Sequence, residues 1–233
     1  MQTWVLTFVA SAAMAFAAFQ AQGATYVPGT SDPWLAGMPN GSTASFNPGS
    51  GEPADVAPAQ SPVLVTEIPI LAGNSITWRA TGTVGHPDDI SGPDGVGLWT
   101  HYNGAENGIS DIAVGIDSLL GVFLGPNQPN LMPAPSALDF STQAARDYLT
   151  LAPGLQQVFF MGDGLTSGGD AQSIVVPAGA TRLFLGTMDG YSWNNNNGEF
   201  EVTFTTSVPD GGSSAILLGL GSLGLWLLRR RQA

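Results

Sequence analysis

The chain of 233 residues contains no cysteine, no lysine and only 2 histidines. Without cysteine there is no disulfide framework, no thiolate metal site and no thiol nucleophile. The fold must be held by an apolar core, with metal as the remaining source of help. The 6 basic residues are all arginine and face 18 acidic ones. Three of the arginines form one run at 229–231, while all but one of the acids lie between Ala24 and Val208. A body this anionic excludes nucleic acid and anionic membrane surfaces as its partners, because phosphate recognition needs clustered cations. Cations suit it better. No His-x-x-x-His zinc spacing and no Gly-x-Ser-x-Gly elbow occurs, and no spacing singles out a carboxylate pair for glycoside cleavage. A Ser–His–Asp set using His86 or His101 stays open, but the reading is a non-catalytic protein, with a polysaccharide-active hydrolase as a distant alternative. What is abundant is Gly (31) and Pro (17), within a sequence that is 43% hydrophobic. That combination is too apolar for disorder and points to a turn-rich β-protein.

Both ends read as addresses. Trp4–Phe19 is nearly all apolar and Ala21-Gln22-Gly23 offers the small residues a signal peptidase reads, so residues 1–23 are expected to be a signal helix cleaved before Ala24. At the other end Val208-Pro209-Asp210-Gly211-Gly212 precedes an apolar span, 213–228, and the basic stop Arg229-Arg230-Arg231. Ala215–Leu228 alone is shorter than the roughly 17–25 residues of a spanning helix; Ser213 and Ser214 extend it, and snorkelling arginines permit a short transmembrane helix. The arginines put their own end in the cytoplasm and the body outside. The block 208–233 resembles the PEP-CTERM class of sorting signals, specifically the VPDSG-CTERM variant, with Gly211 where that name has Ser. The resemblance implies an exosortase-type processing protease as a partner, removal of the tail during export, transient membrane anchoring, and residence at the cell surface or in extracellular matrix.

Between the ends, residues 24–61 are rich in Pro, Gly, Ser and Ala and read as an extended segment, with Trp34, Leu35 and Phe46 available to dock on a domain at 62–207. Val63–Ile70 and Ser75–Ala80 are β-branched runs about the turn Ala72-Gly73-Asn74. Gly82–Asp111 is so rich in Gly, Asp and Asn that it reads as a long loop. Leu119–Leu124 reads as a buried strand and Ser141–Leu149 as the one short helix, capped by Ser141 and stopped by Pro153. Gln157–Met161, Ser173–Val176 and Thr181–Gly186 read as further strands. In Glu199–Thr205 the residues Phe200, Val202 and Phe204 alternate with polar ones, the mark of a half-buried antiparallel strand. The fold class expected is all-β, a jelly-roll-like β-sandwich.

The best candidate site lies before that last strand: Asp189, then Gly190-Tyr191-Ser192-Trp193, then Asn194–Asn197 and Gly198. Calcium takes about six to eight hard oxygens, which carboxylates, amide carbonyls and hydroxyls supply. Asn and Gly are equally the residues of a left-handed hairpin turn. Tyr191 and Trp193 flank the asparagines, where a flat ring can stack on a pyranose face or pack beneath the turn.

The stretch from Val176 to Asp189, followed by Asn195-Asn196-Asn197-Gly198-Glu199-Phe200-Glu201-Val202, resembles the C-terminal part of the PA-IL-like calcium-dependent galactose lectins. An earlier piece, Ile70 to Gly82, looks like their strand-turn-strand. The resemblance implies a galactose-binding-domain-like sandwich. It carries calcium ligation to Asp189, Ser192, Asn195 and Asn196, and sugar binding to Asp189 and Asn195, with Trp193 beside them. The lectins' His-Pro-Asp-Gln stretch matches His86-Pro87-Asp88-Asp89, which carries sugar contacts to His86 and Asp89. This copy stands nearer the preceding strand than in the lectins, and Gly92-Pro93-Asp94-Gly95 is a rival match. The function implied is calcium-assisted binding of extracellular polysaccharide or glycan. The alternative is a structural envelope or matrix protein that keeps the fold and binds no sugar.

Overall fold

The computed structural model describes residues 23–86 and 89–207, except for the side chains of His86, Asp89 and Ser207. The expected signal helix and transmembrane helix lie outside these residues. Among the described residues no helix is long and apolar enough to cross a membrane. The chain is all-β. A six-stranded sheet runs in the order Thr25–Pro28, Asn197–Ser207, Ser75–His86, Ser173–Val175, Thr150–Leu151, with Asp89–Ser91 hairpinned onto Ser75–His86. A four-stranded sheet runs Val158–Phe160, Leu119–Leu124, Arg182–Thr187, Val63–Leu64. A three-stranded sheet (Leu138–Asp139, Ile112–Ile116, Val96–Thr100) and the ribbon Thr43–Ala44/Asp55–Val56 complete the set.

The expected alternation at the C-terminal strand is there: Phe200, Val202 and Phe204 are buried, and Glu199, Glu201 and Thr203 exposed. Its partner Ser75–His86 contributes Ile76, Trp78, Ala80 and Val84 to the same core. Leu119–Leu124 is buried at every position. It therefore has protein on both faces, as a near-continuous apolar run requires. Phe123 stacks on Phe159 at 5.4 Å in this layer.

Three expectations change. Gly82–Asp111 is not a loop: it holds the end of Ser75–His86, then Asp89–Ser91 and Val96–Thr100. Its glycines mark close backbone approach instead. Gly82 has φ +97, and a Cβ there would lie 2.4 Å from the Glu199 carbonyl oxygen. At Gly97 (φ +63) the Val96–Thr100 strand slips register against Ile112–Ile116, a bulge. Secondly, the helix is one turn, Gln143–Arg146, and Thr142 rather than Ser141 caps it, accepting from the Ala145 N–H at 3.2 Å. None of its residues is buried. The chain is drawn off by Tyr148, whose hydroxyl donates to the Phe160 carbonyl at 2.7 Å, and enters the Thr150–Leu151 strand. Thirdly, 24–61 does more than dock. Thr25–Pro28 forms the sheet edge against Glu199–Val202. Trp34 and Leu35 are fully buried, whereas Phe46 is 48% exposed.

Trp34 locks this segment in place. Asp32 accepts from its amide at 2.8 Å, and its indole N–H donates to the Ser110 carbonyl at 3.0 Å. Trp34→Ala should lower unfolding free energy by about 3–5 kcal/mol, measured as a fall in the denaturation midpoint with the slope unchanged.

Candidate functional site

The strand Arg182–Thr187 delivers Asp189, which is only 3% exposed, to one end of the molecule. The chain then turns through Ser192, which is left-handed with φ 65, into the single 3-10 turn Trp193–Asn195. A non-glycine residue there is strained, and such strain persists where the surroundings fix it. Asn196 enters the final strand with its amide nitrogen donating to Asp189 Oδ2 at 2.9 Å and to the Gly29 carbonyl at 3.3 Å. Both partners can only accept, so the orientation of this amide is fixed. Its oxygen, Oδ1, is buried with no protein donor, and so is the Ser192 hydroxyl. Two buried oxygens without partners, on the turn that follows Asp189, are hard donors of the kind a cation takes. Asn195 and Asn194 are exposed on the rim. Among the described residues no group of three or more His, Asp or Glu gathers as a metal cluster. A cation here would depend on amide and hydroxyl oxygens as much as on carboxylate.

Asp55 builds this turn, and sequence reasoning missed it because it lies in the Pro/Gly-rich segment. It is fully buried and accepts from the amides of Trp193 at 3.0 Å and Asn194 at 3.1 Å. Burial first, then the nearby Asp189 charge, push its carboxyl up to about 6, against the amides that favour the anion.

The ring contact expected from Trp193 is corrected. Trp193 is fully buried, its indole N–H donating to the Thr187 carbonyl at 3.0 Å, so it supports the turn from beneath and cannot meet a sugar. Other rings surround the rim. Trp99 is 45% and Tyr102 57% exposed. The Tyr102 amide donates to the Gly190 carbonyl at 2.9 Å, and Tyr102 meets Tyr191 edge-on at 6.0 Å. The Trp99 ring lies directly against Gly190. Their signal was hidden by reading residues 82–111 as loop. The backbone of His86 pairs with Asp89, and Gly85 pairs with Asn197, so both residues stand at the asparagine end of the sheet. Asp88 lies outside the described residues.

His101 belongs to a separate buried set. Its ring stacks on Trp34 at 3.7 Å. Nδ1 lies 2.6 Å from the Gly104 carbonyl, which can only accept, so Nδ1 carries the proton. Nε2 faces the Ser45 hydroxyl at 3.0 Å, and the same hydroxyl lies 2.7 Å from Asp32 Oδ2. One hydroxyl proton cannot serve both acceptors. The set is satisfied when Asp32 keeps its proton, donates to Ser45, and Ser45 donates to His101. Burial supports this state: it holds Asp32 well above the usual carboxylate range and pushes His101 below its ordinary value. Here the carboxyl touches the serine rather than the histidine, and Ser45 is 1% exposed. The geometry is that of an internal relay holding three segments together, not of a nucleophile presented to substrate.

The VPDSG-CTERM motif matches residues 207–232. The protein is therefore exported and sorted to the cell surface, its tail the substrate of an exosortase-like system. Comparison with curated proteins and with solved structures gave no match.

The Asp55 shift has a measurable sign. A carboxyl raised from 3.8 to about 6 contributes stability that is full below 3.8 and lost as pH rises through about 6. Asp55→Asn should remove this component, flattening the melting temperature between these pH values relative to the parent.

Proposed function

We propose that the protein is a non-catalytic, calcium-assisted carbohydrate-binding module with a jelly-roll-like sandwich fold, displayed outside the cell by exosortase-type sorting. The observation that carries this reading is the pair of buried oxygens without protein donors, Asn196 Oδ1 and Ser192 Oγ, on the turn whose Asn196 amide nitrogen donates to Asp189. The donor set fits calcium: Asp189, Asn196 and Ser192 would hold the ion, with the carbonyl of exposed Asn195 available from the rim. Bound calcium would supply positive charge to a buried carboxylate and an attachment point for vicinal hydroxyls. The exposed rings of Trp99 and Tyr102 beside Gly190 give a pyranose an apolar face to rest on.

A second reading is a structural envelope or matrix protein in which calcium only pins the loop. It is favoured by the burial of Asp189 and Trp193, at 3% and 0% exposure, which leaves the innermost ligands away from a sugar.

Melts in calcium and in chelator, followed by glycan-array binding, separate the two. The module reading expects a calcium-dependent rise in melting temperature and a calcium-dependent glycan signal. Asp189→Ala should remove both. A calcium shift without glycan signal leaves the structural reading, and no calcium shift at all removes the ion from both.

A further inference from the structure

The final strand leaves the domain at one end of the sheet, and the candidate site stands at the other. Ser207 pairs with Ser75 and Asn197 with Gly85. At roughly 3.3 Å per residue the two ends are about 30 Å apart. The sorting-motif match begins at residue 207, which is still paired in the sheet. Five residues, Val208–Gly212, stand between the last paired residue and the span 213–228. Fully extended, five residues reach at most about 18 Å, so this end of the domain stays near whatever surface the apolar span enters.

The composition of that end is distinctive. Four loops meet there, 69–74, 125–132, 152–157 and 176–181. The Gly73 amide donates to the Val176 carbonyl at 2.9 Å, the Thr181 amide to the Leu124 carbonyl at 2.9 Å, and the Gln156 amide to the Phe123 carbonyl at 2.8 Å. In a chain with 18 acidic residues, these loops hold none. Their exposed residues include the apolar Leu71 at 54%, Leu131 at 69% and Met132 at 62%, beside the uncharged Asn127, Gln128 and Asn130. Among the described residues the cation beside these loops is Arg182, whose guanidinium donates to the carbonyls of Gly125 and Asn127; in the sequence Asp210 follows three residues after Ser207. Glu67, on the chain leading into the first loop, is turned onto the Thr25 hydroxyl at 2.6 Å and the Thr66 amide at 2.9 Å.

We infer that this end is a lipid-facing surface, which rests its apolar loop tips in the interfacial zone of the bilayer while the tail holds the chain there. The inference depends on the reading of the tail as a membrane-inserting segment. Apolar tips gain by entering the headgroup boundary, and the missing carboxylates are the groups that anionic headgroups would repel. Arg182 at the rim is placed to meet lipid phosphate. The candidate site then points about 30 Å out into the medium, where a glycan can reach it.

The absence of native cysteine makes single-site labelling clean. The full chain carrying Leu71→Cys, Met132→Cys or Asn194→Cys, each with a nitroxide, is incorporated into phosphatidylcholine vesicles. Power saturation then compares access by oxygen, which enters the bilayer, with access by a polar nickel chelate. Flotation reports separately whether the tail holds the chain on the vesicle, and a parent-like melt shows that each variant is folded. The expected result is several-fold greater preference for oxygen at 71 and 132 than at 194. A chain that floats with all three sites equally open to nickel overturns the lipid-facing end and leaves the tail reading intact. A chain that does not float overturns both. Shielding at 71 and 132 that develops only when the processing protease is added assigns the face to a protein partner and also overturns the inference.

Discussion

The antiparallel pairing of Ser75–His86 with Asn197–Ser207 is the constraint on which the rest depends. Register from Ser207↔Ser75 to Asn197↔Gly85 joins residues more than a hundred apart in sequence. It fixes which side chains face inward, since a slip of one residue would expose Phe200, Val202 and Phe204 together. It also sets the polarity of the molecule. One end receives the asparagine turn and Asp189, and the other releases the tail. Gly82 and Gly198 permit the pairing, because a Cβ at either would sit within 2.4 Å of a carbonyl oxygen on the opposite strand.

A second constraint follows from what the chain lacks. Without lysine, and with few arginines, buried carboxyls cannot all be matched by cationic side chains. Asp32 meets this with a hydroxyl, an amide and a raised proton affinity. Asp55 meets it by gathering backbone amides of the site turn, still with its proton affinity raised. Asp189 accepts from the Asn196 amide nitrogen, which turns the amide oxygen toward an unpartnered position. The buried acids lie within reach of one another's charge, since Asp55 feels Asp189 and Asp32 feels Asp55. A cation at the turn would relieve the last of these and act back through the others, which ties the proposed ion to the stability of the N-terminal segment.

The sequence showed most clearly what depends on periodicity. Glu199–Thr205 alternates as expected, Leu119–Leu124 is buried as expected, and the tail match follows the motif residues Val208–Gly212. What it hid depends on non-local contact. The strands within 82–111 were masked by glycines that serve close approach and a bulge rather than turns. The role of Asp55 arises only because a short ribbon carries it to residues 138 positions away. Trp193 was legible as important but not as buried, since a loop tryptophan becomes a floor or a platform according to what covers it. Trp34 and His101, both buried within 6 Å of its ring, decide for floor.

These features divide the asparagine-turn end of the domain into two layers. The inner layer, Asp189, Ser192 and Asn196, is closed over by the turn and suited to holding an ion, not a large ligand. The outer layer, Asn194, Asn195, Trp99, Tyr102 and Tyr191, is at least partly open and offers amides and ring faces. Neither alone is a convincing receptor: a buried carboxylate cannot grip a polymer, and exposed rings on an acidic surface bind many things weakly. An ion between them would join the layers by neutralising the inner charge and fixing the outer groups in one arrangement. On this view the asparagine turn matters less as a source of ligands than as the hinge through which buried charge is made useful at the surface.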